Sequence, residues 1–239
     1  MGAIYRREMG AFFTSGLAYV FLSVYFLFAG YFFYQGTLVM GTTNTASMFS
    51  NLFMIVLILI PILTMKLFSE EKKQKTDQGL LTAPVGLWSI VLGKYFAALT
   101  LFAIAESIVF IYALILSGYG NVVWATLLAN YLAMLLLGAA FIAVGVFISS
   151  LTENQMASAV ASFLALMFLY LLDIVASSIT AEDGILGFVK ETLLSLSFYE
   201  KYIEFTMGLF NLSSVIFYLS AVFLFNFFTV RVFEKRRWS

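Results

Sequence analysis

The residues best suited to chemistry in this chain are few and widely spaced. Glu106 and Asp173 sit inside long uncharged stretches, and Ser69-Glu70-Glu71-Lys72-Lys73-Gln74-Lys75-Thr76-Asp77 concentrates charge just before Gly79-Leu80-Leu81-Thr82-Ala83-Pro84. An ionisable group in apolar surroundings is costly unless it faces protein or water. Glu106, beside Ser107 and on the helical side of Thr100 and Ala103, can therefore line a cavity, take a proton or hydrogen-bond to another helix. Asp173 lies near the end of its stretch, where solvent or a solute at an outer mouth would meet it. The chain has no cysteine and no histidine, which excludes disulfides, thiolate or imidazole metal sites and triads that need histidine. Glu106 and Asp173 have no nearby acidic repeat with which to hold a metal, so no catalytic or metal site is expected. The ten methionines are scattered without a paired motif and read as packing residues.

Hydropathy says what must position these groups. In 239 residues, 62% are hydrophobic and 11% charged, too few charges to cover a soluble domain of this size. Lipid is the expected surround. A helix needs roughly 20 apolar residues to cross about 30 Å of hydrocarbon. The uncharged stretch from Met9 to Met65 holds two such spans, 15–34 and 48–65, around a polar break at Gln35 to Ser47. The next apolar block gives spans 95–117 and 122–149, turning at Gly118-Tyr119-Gly120-Asn121. Spans 155–176 and 212–232 complete an all-α integral membrane protein with six transmembrane helices in one domain, 1–239. The first stretch runs uncharged into the second, so it reads as a span and not as a cleaved leader.

Basic residues set the expected orientation, because short positively charged loops resist translocation. Of the 13 Lys and Arg, only Lys190 and Lys201 fall on one face, among Glu182, Asp183, Glu191, Glu200 and Glu204. The other 11 share the face of both termini, which is therefore expected to be cytoplasmic, with the chain in the cell membrane. In 1–14, Tyr5, Met9, Phe12 and Phe13 recur at helical spacing, as in an amphipathic helix lying in the interface. Within 178–211, Leu186, Val189, Leu193 and Leu196 form one stripe and Phe198, Tyr202, Phe205 and Leu209 another, which suits two short outer helices of re-entrant type. In the loop 66–94, Glu71 and Lys75 are spaced for an i, i+4 pair, Gly79 can interrupt or cap a helix, and Pro84 ends it. Leu80, Leu81 and Pro84 are left for a partner to cover, unless the segment is simply a solvated hairpin.

Several runs together resemble the ABC-2 type transporter permeases. They are Pro61-Ile62-Leu63-Thr64-Met65-Lys66, the loop from Ser69-Glu70-Glu71-Lys72 to Ala83-Pro84-Val85, and Val91-Leu92-Gly93-Lys94. Tyr5-Arg6-Arg7-Glu8 is similar to that family's N-terminal interfacial helix, and Ser149-Ser150-Leu151-Thr152-Glu153-Asn154-Gln155 to its turn after the fourth span. Gly208-Leu209-Phe210-Asn211-Leu212 and Val230-Arg231-Val232-Phe233-Glu234-Lys235-Arg236-Arg237-Trp238 resemble the gliding-motility-associated branch. Two departures stand out. The family's Gly-Thr and Glu-Leu-Leu-Leu before the loop proline are replaced by Lys75-Thr76-Asp77-Gln78-Gly79-Leu80-Leu81, and a proline often found before the first span is Gly16.

The resemblance implies a permease subunit of an ATP-binding cassette transporter. Its coupling helix between the second and third spans would seat on a separate ATPase through Glu70, Glu71, Lys72, Thr76, Asp77, Leu80, Leu81 and Pro84. The chain has no Gly-x-x-x-x-Gly-Lys-Ser/Thr phosphate cradle, so ATP and Mg would be bound by that partner and no cofactor by this chain. Two ATPase copies and a second permease, identical or related, would complete the assembly within membrane lipid, with no nucleic acid. Few intramembrane charges favour a hydrophobic or amphipathic substrate, exported past Glu106, Ser107 and Asp173. The competing readings are an intramembrane lipid-modifying enzyme, which lacks a catalytic cluster, and an ATP-independent carrier or scaffold, which has no use for an exposed Leu-Leu patch.

Overall fold

The computed structural model describes residues 1–76, 79, 85–179, 184–207 and 211–238. Among these the regular structure is entirely helical. In lipid, a segment that satisfies every backbone group internally is the stable solution, and runs of Leu, Ile, Val, Phe and Ala need no other partner. Helix α1 (Gly2–Thr14) leads into α2 (Leu17–Phe33), followed by α3 (Ala46–Thr64), α4 (Lys66–Lys73), α5 (Leu87–Glu106), α6 (Ile108–Ser117) and α7 (Trp124–Leu151). After them come α8 (Gln155–Ser178), α9 (Gly184–Ser195), α10 (Phe198–Thr206) and α11 (Leu212–Trp238). Among the described residues, six helical stretches are long and apolar enough to span a bilayer: Leu17–Leu38, Ala46–Lys73, Leu87–Ser117, Trp124–Leu151, Gln155–Ser178 and Leu212–Arg237.

The helices run past the expected span bounds at the end where both termini lie. The second extends into the charged residues Glu70 to Lys73, and the third begins at Leu87, ahead of Lys94. Glu71 and Lys94 are accommodated in these helices because they pair with each other and with Arg7 and Glu8. The first span closes in a π-helical turn, Tyr34–Leu38, where the Thr37 hydroxyl donates back to the Phe33 carbonyl.

Helix α7 is the hub. Within their apolar windows, 72% of the fourth span and 67% of the second are buried inside the bundle, against 17% and 22% for the fifth and sixth. Small residues permit this approach. A Cβ at Gly138 would overlap the Phe102 ring on α5, and one at Gly145 would overlap the Thr64 side chain on α3. Helix α11 lies along α7, with Phe147 between the rings of Phe225 and Phe228 at 6.0 and 5.9 Å. At the end opposite the termini, α10 packs on α3 and α7, and the Tyr202 hydroxyl donates to the Phe49 carbonyl at 2.7 Å. On α8, Ser158 and Ser162 face the bundle while Ala157 faces outward.

Gly16 joins α1 to the first span in a left-handed conformation, φ +77°. That explains its presence where the resembling sequences often carry proline, whose ring fixes φ near −65° and cannot make this corner.

Candidate functional site

The candidate site is built where α1, α4 and the start of α5 converge. Helix α1 packs on α5 at Gly93, where a Cβ would press to 3.0 Å from the Ile4 side chain. The next residue, Lys94, is only 1% exposed, and a buried ammonium must be paired or it cannot remain charged. Its Nζ lies 3.1 Å from Glu8 Oε1 and 3.0 Å from Glu71 Oε1. It also donates to the Leu67 carbonyl at 2.5 Å and sits 5.0 Å from the centre of the Phe68 ring. Arg7 closes the set, with Nη2 at 2.6 Å from Glu8 Oε1 and 2.5 Å from Glu71 Oε1. Two cations and two carboxylates, drawn from three helices, thus cancel one another. Phe68 in turn packs against Phe233 with the rings tilted, their centres 4.7 Å apart, bringing the end of α11 into the same assembly.

A second fastening holds the bend between α3 and α4. Pro61 lacks the backbone N–H that would bond one turn back, and the helix breaks at Met65. The Ser149 hydroxyl of α7 repairs the break. It accepts from the N–H groups of Phe68 and Ser69 at 3.1 and 3.2 Å and donates to the Met65 carbonyl at 3.2 Å, the full capacity of one hydroxyl. The Ser69 hydroxyl donates to that same Met65 carbonyl.

Helix α4 stops at Lys73, earlier than the Gly79 boundary expected from the sequence. Thr76 N–H bonds to the Glu71 carbonyl at 3.0 Å and Lys75 N–H to the Lys72 carbonyl at 3.1 Å, a Schellman closure with Lys75 in the left-handed position, φ 58°. The expected Glu71 and Lys75 pair is therefore not made, because Lys75 lies past the helix end and Glu71 turns to Arg7 and Lys94. A cavity of about 530 Å³ opens between α1 and α4, lined by Arg7, Glu8, Lys66, Glu70, Glu71 and Lys94 among others.

Of the loop residues singled out from sequence, Glu71 belongs to the ion cluster, Glu70 lines the cavity and accepts from Gln74 at 3.4 Å, and Thr76 caps α4. Lys72 is half-buried in the last turn of α4. Asp77, Leu80, Leu81 and Pro84 lie outside the described residues. The intramembrane candidates do not share one site. Glu106 is fully buried, whereas Ser107 is exposed and donates back to the Ala103 carbonyl at 2.7 Å. Thr100 accepts from the Tyr5 hydroxyl at 3.2 Å and so belongs to the α1 contact. Asp173 is half-buried and accepts from Ser197 at 2.7 Å, and Ser197 caps α10 by accepting from Glu200 N–H at 3.0 Å. Glu8, Lys94 and Ser149 were not read as site residues from sequence. The one available signal was Lys94 itself, a lysine inside an apolar run, which must have a partner.

The family model described as ABC-2 family transporter protein matches residues 3–232, nearly the whole chain. The chain belongs to the ABC-2 family of transporters. No curated protein matches it. With its six apolar helices, this ABC-2 family member is a multi-pass membrane protein of permease type. Permeases of the family generally work with ATP-binding subunits.

Proposed function

We propose that this chain is the membrane-spanning permease subunit of an ATP-binding cassette exporter, moving a hydrophobic or amphipathic substrate. ATP and Mg are bound and hydrolysed by two copies of a separate subunit, and a second permease, a copy of this chain or a relative, completes the pathway. Within the family, the C-terminal runs quoted above favour the gliding-motility-associated branch. The end carrying the ion cluster and both termini faces the cytoplasm, on the strength of its basic residues.

The observation that carries this reading is mechanical. Glu71, on the helix leading into the loop, is ion-paired to Lys94 on the third span, and the backbone of Phe68 and Ser69 is bonded to Ser149 on the fourth. A push on this loop therefore reaches the second, third and fourth spans together, as a coupling element requires. Glu70, Glu71, Lys72, Thr76, Asp77, Leu80, Leu81 and Pro84 form the seat for the ATPase.

Co-purification tests it. The wild-type chain, expressed with its native operon or cellular background, should retain an ATP-binding subunit, and replacing both Leu80 and Leu81 by Asp should release that subunit while membrane insertion survives. Undiminished binding by the double variant would exclude the loop as the coupling element. Tags on Met1 and Ser239 should both be cytoplasmic, and one at 180–184 external.

A further inference from the structure

Midway through the third span the helix is interrupted. Helix α5 ends at Glu106 and α6 begins at Ile108, and the backbone between them tightens, with Phe110 N–H reaching the Ser107 carbonyl at 3.2 Å. At the break the Ser107 hydroxyl shares the Ala103 carbonyl that its own N–H uses at 3.0 Å. At this break the Glu106 carboxyl is 0% exposed, and neither oxygen has a hydrogen-bond partner among the described residues.

Two other buried polar groups without partners belong to the surrounding spans: the Tyr25 hydroxyl on α2 and both side-chain atoms of Asn130 on α7. Packing places them near one level. Phe102 of α5 packs on Gly138 and Phe110 of α6 on Tyr131, at 4.8 Å, so the antiparallel helix α7 passes Glu106 near Met134 with Asn130 one turn beyond. Tyr25 packs edge-on against Phe102 at 6.2 Å and lies within electrostatic range of Glu106. Tyr202, fully buried on α10, lies within the same range, and Tyr112 and Tyr131 lie within electrostatic range of Tyr25. Among the described residues, the polar groups placed near Glu106 are thus the phenols of Tyr25 and Tyr202 and, along α7, the Asn130 carboxamide. The nearest basic residue of its span, Lys94, is roughly 18 Å away along the helix and already paired.

We propose that Glu106 is a proton-binding site, neutral in the closed bundle, which forms with Tyr25 and Asn130 an internal polar site at the break of the third span. An ionised carboxylate here would have no counter-charge among the described residues. A metal cation in its place would need about six oxygen ligands, more than the unpartnered groups supply. The neutral acid both donates and accepts, which suits a hydroxyl and a carboxamide as partners. When the spans part and water enters, the carboxyl O–H breaks and its proton passes to water, leaving a hydrated carboxylate. The break lets the two halves of the span move separately, so hydration of the site and opening of the bundle occur together. This chemistry does not depend on which subunit drives the opening.

The test uses the full chain in lipid nanodiscs, by infrared spectroscopy at a pH of about 8, well above the ordinary glutamate range. The wild type should show the carbonyl band of a protonated carboxylic acid, and Glu106→Gln, which mimics the neutral acid, should lose that band while keeping the wild-type melting temperature. In D2O the band should shift slowly, at the rate of bundle opening, and Tyr25→Phe or Asn130→Leu should move its frequency. Absence of the band, its survival in Glu106→Gln, an immediate shift in D2O, or its loss on adding sodium or potassium would each overturn the proposal. So would a frequency unmoved by both neighbouring substitutions.

Discussion

Lys94 Nζ and Glu71 Oε1 meet at 3.0 Å although one begins the third span and the other ends the helix continuing the second. The ammonium is 1% exposed and the carboxylate 17%, so water screens the contact poorly. Removing one member strands the others in a desolvated place. Lys94→Met should therefore destabilise the chain by about 3–5 kcal/mol, and a double-mutant cycle with Glu71→Gln should give a coupling energy above about 1 kcal/mol. Thermal unfolding of the four proteins in detergent measures it, and additive losses would show the pair to be energetically idle.

The closure of α4 gives a change in the opposite direction. Lys75 holds φ 58°, a region that costs an L-residue but not glycine. Lys75→Gly should raise stability by up to about 1 kcal/mol, while Lys75→Val should lower it by a similar amount because a β-branched side chain resists that conformation further. The comparison is made by the melting temperature of each variant in nanodiscs.

Helix identity was legible because lipid imposes a simple rule, and each apolar run of sufficient length became a helix. Helix ends were less legible. The third span is expected to begin after Lys94, yet Lys94 is inside α5, since its ion pairs with Glu8 and Glu71 replace hydration. The pairing itself was hidden for a geometric reason. Glu8 and Lys94 are 86 positions apart, and although helical spacing puts Glu8 on the face of Tyr5 and Phe12, nothing in 1–14 says which cation it meets. Glu106 was readable as a candidate from its solitude. Its separation from Ser107 follows from helical geometry, since adjacent positions point to different faces, but which of the two is buried is decided by the surrounding packing.

The contact of Phe102 with Gly138 makes a packing prediction. Any Cβ at position 138 would overlap the ring, which is itself fully buried. Gly138→Ala should cost about 1–3 kcal/mol through overpacking, and Phe102→Leu introduced alongside should restore part of it by emptying the space. Should the second substitution deepen the loss instead, the two residues would not share that contact.

Ser149 makes the sharpest structural prediction. Its hydroxyl is the acceptor for the N–H groups of Phe68 and Ser69, whose backbone is bent away from regular helical pairing beyond Pro61. Ser149→Ala removes that acceptor while leaving nearly the same volume, so the loss should be one of hydrogen bonding and not of packing. The Phe68 N–H would be left unsatisfied at about 1–3 kcal/mol, partly relieved if α4 rewinds onto α3, and the Ser69 N–H would keep only its bond within α4. The readout that separates this from general destabilisation is amide hydrogen exchange. Phe68 and Ser69 should exchange faster in the variant, while amides in the middle of α7 keep wild-type protection. Uniform acceleration across all spans would mean that Ser149 supports the bundle as a whole and has no particular hold on the bend.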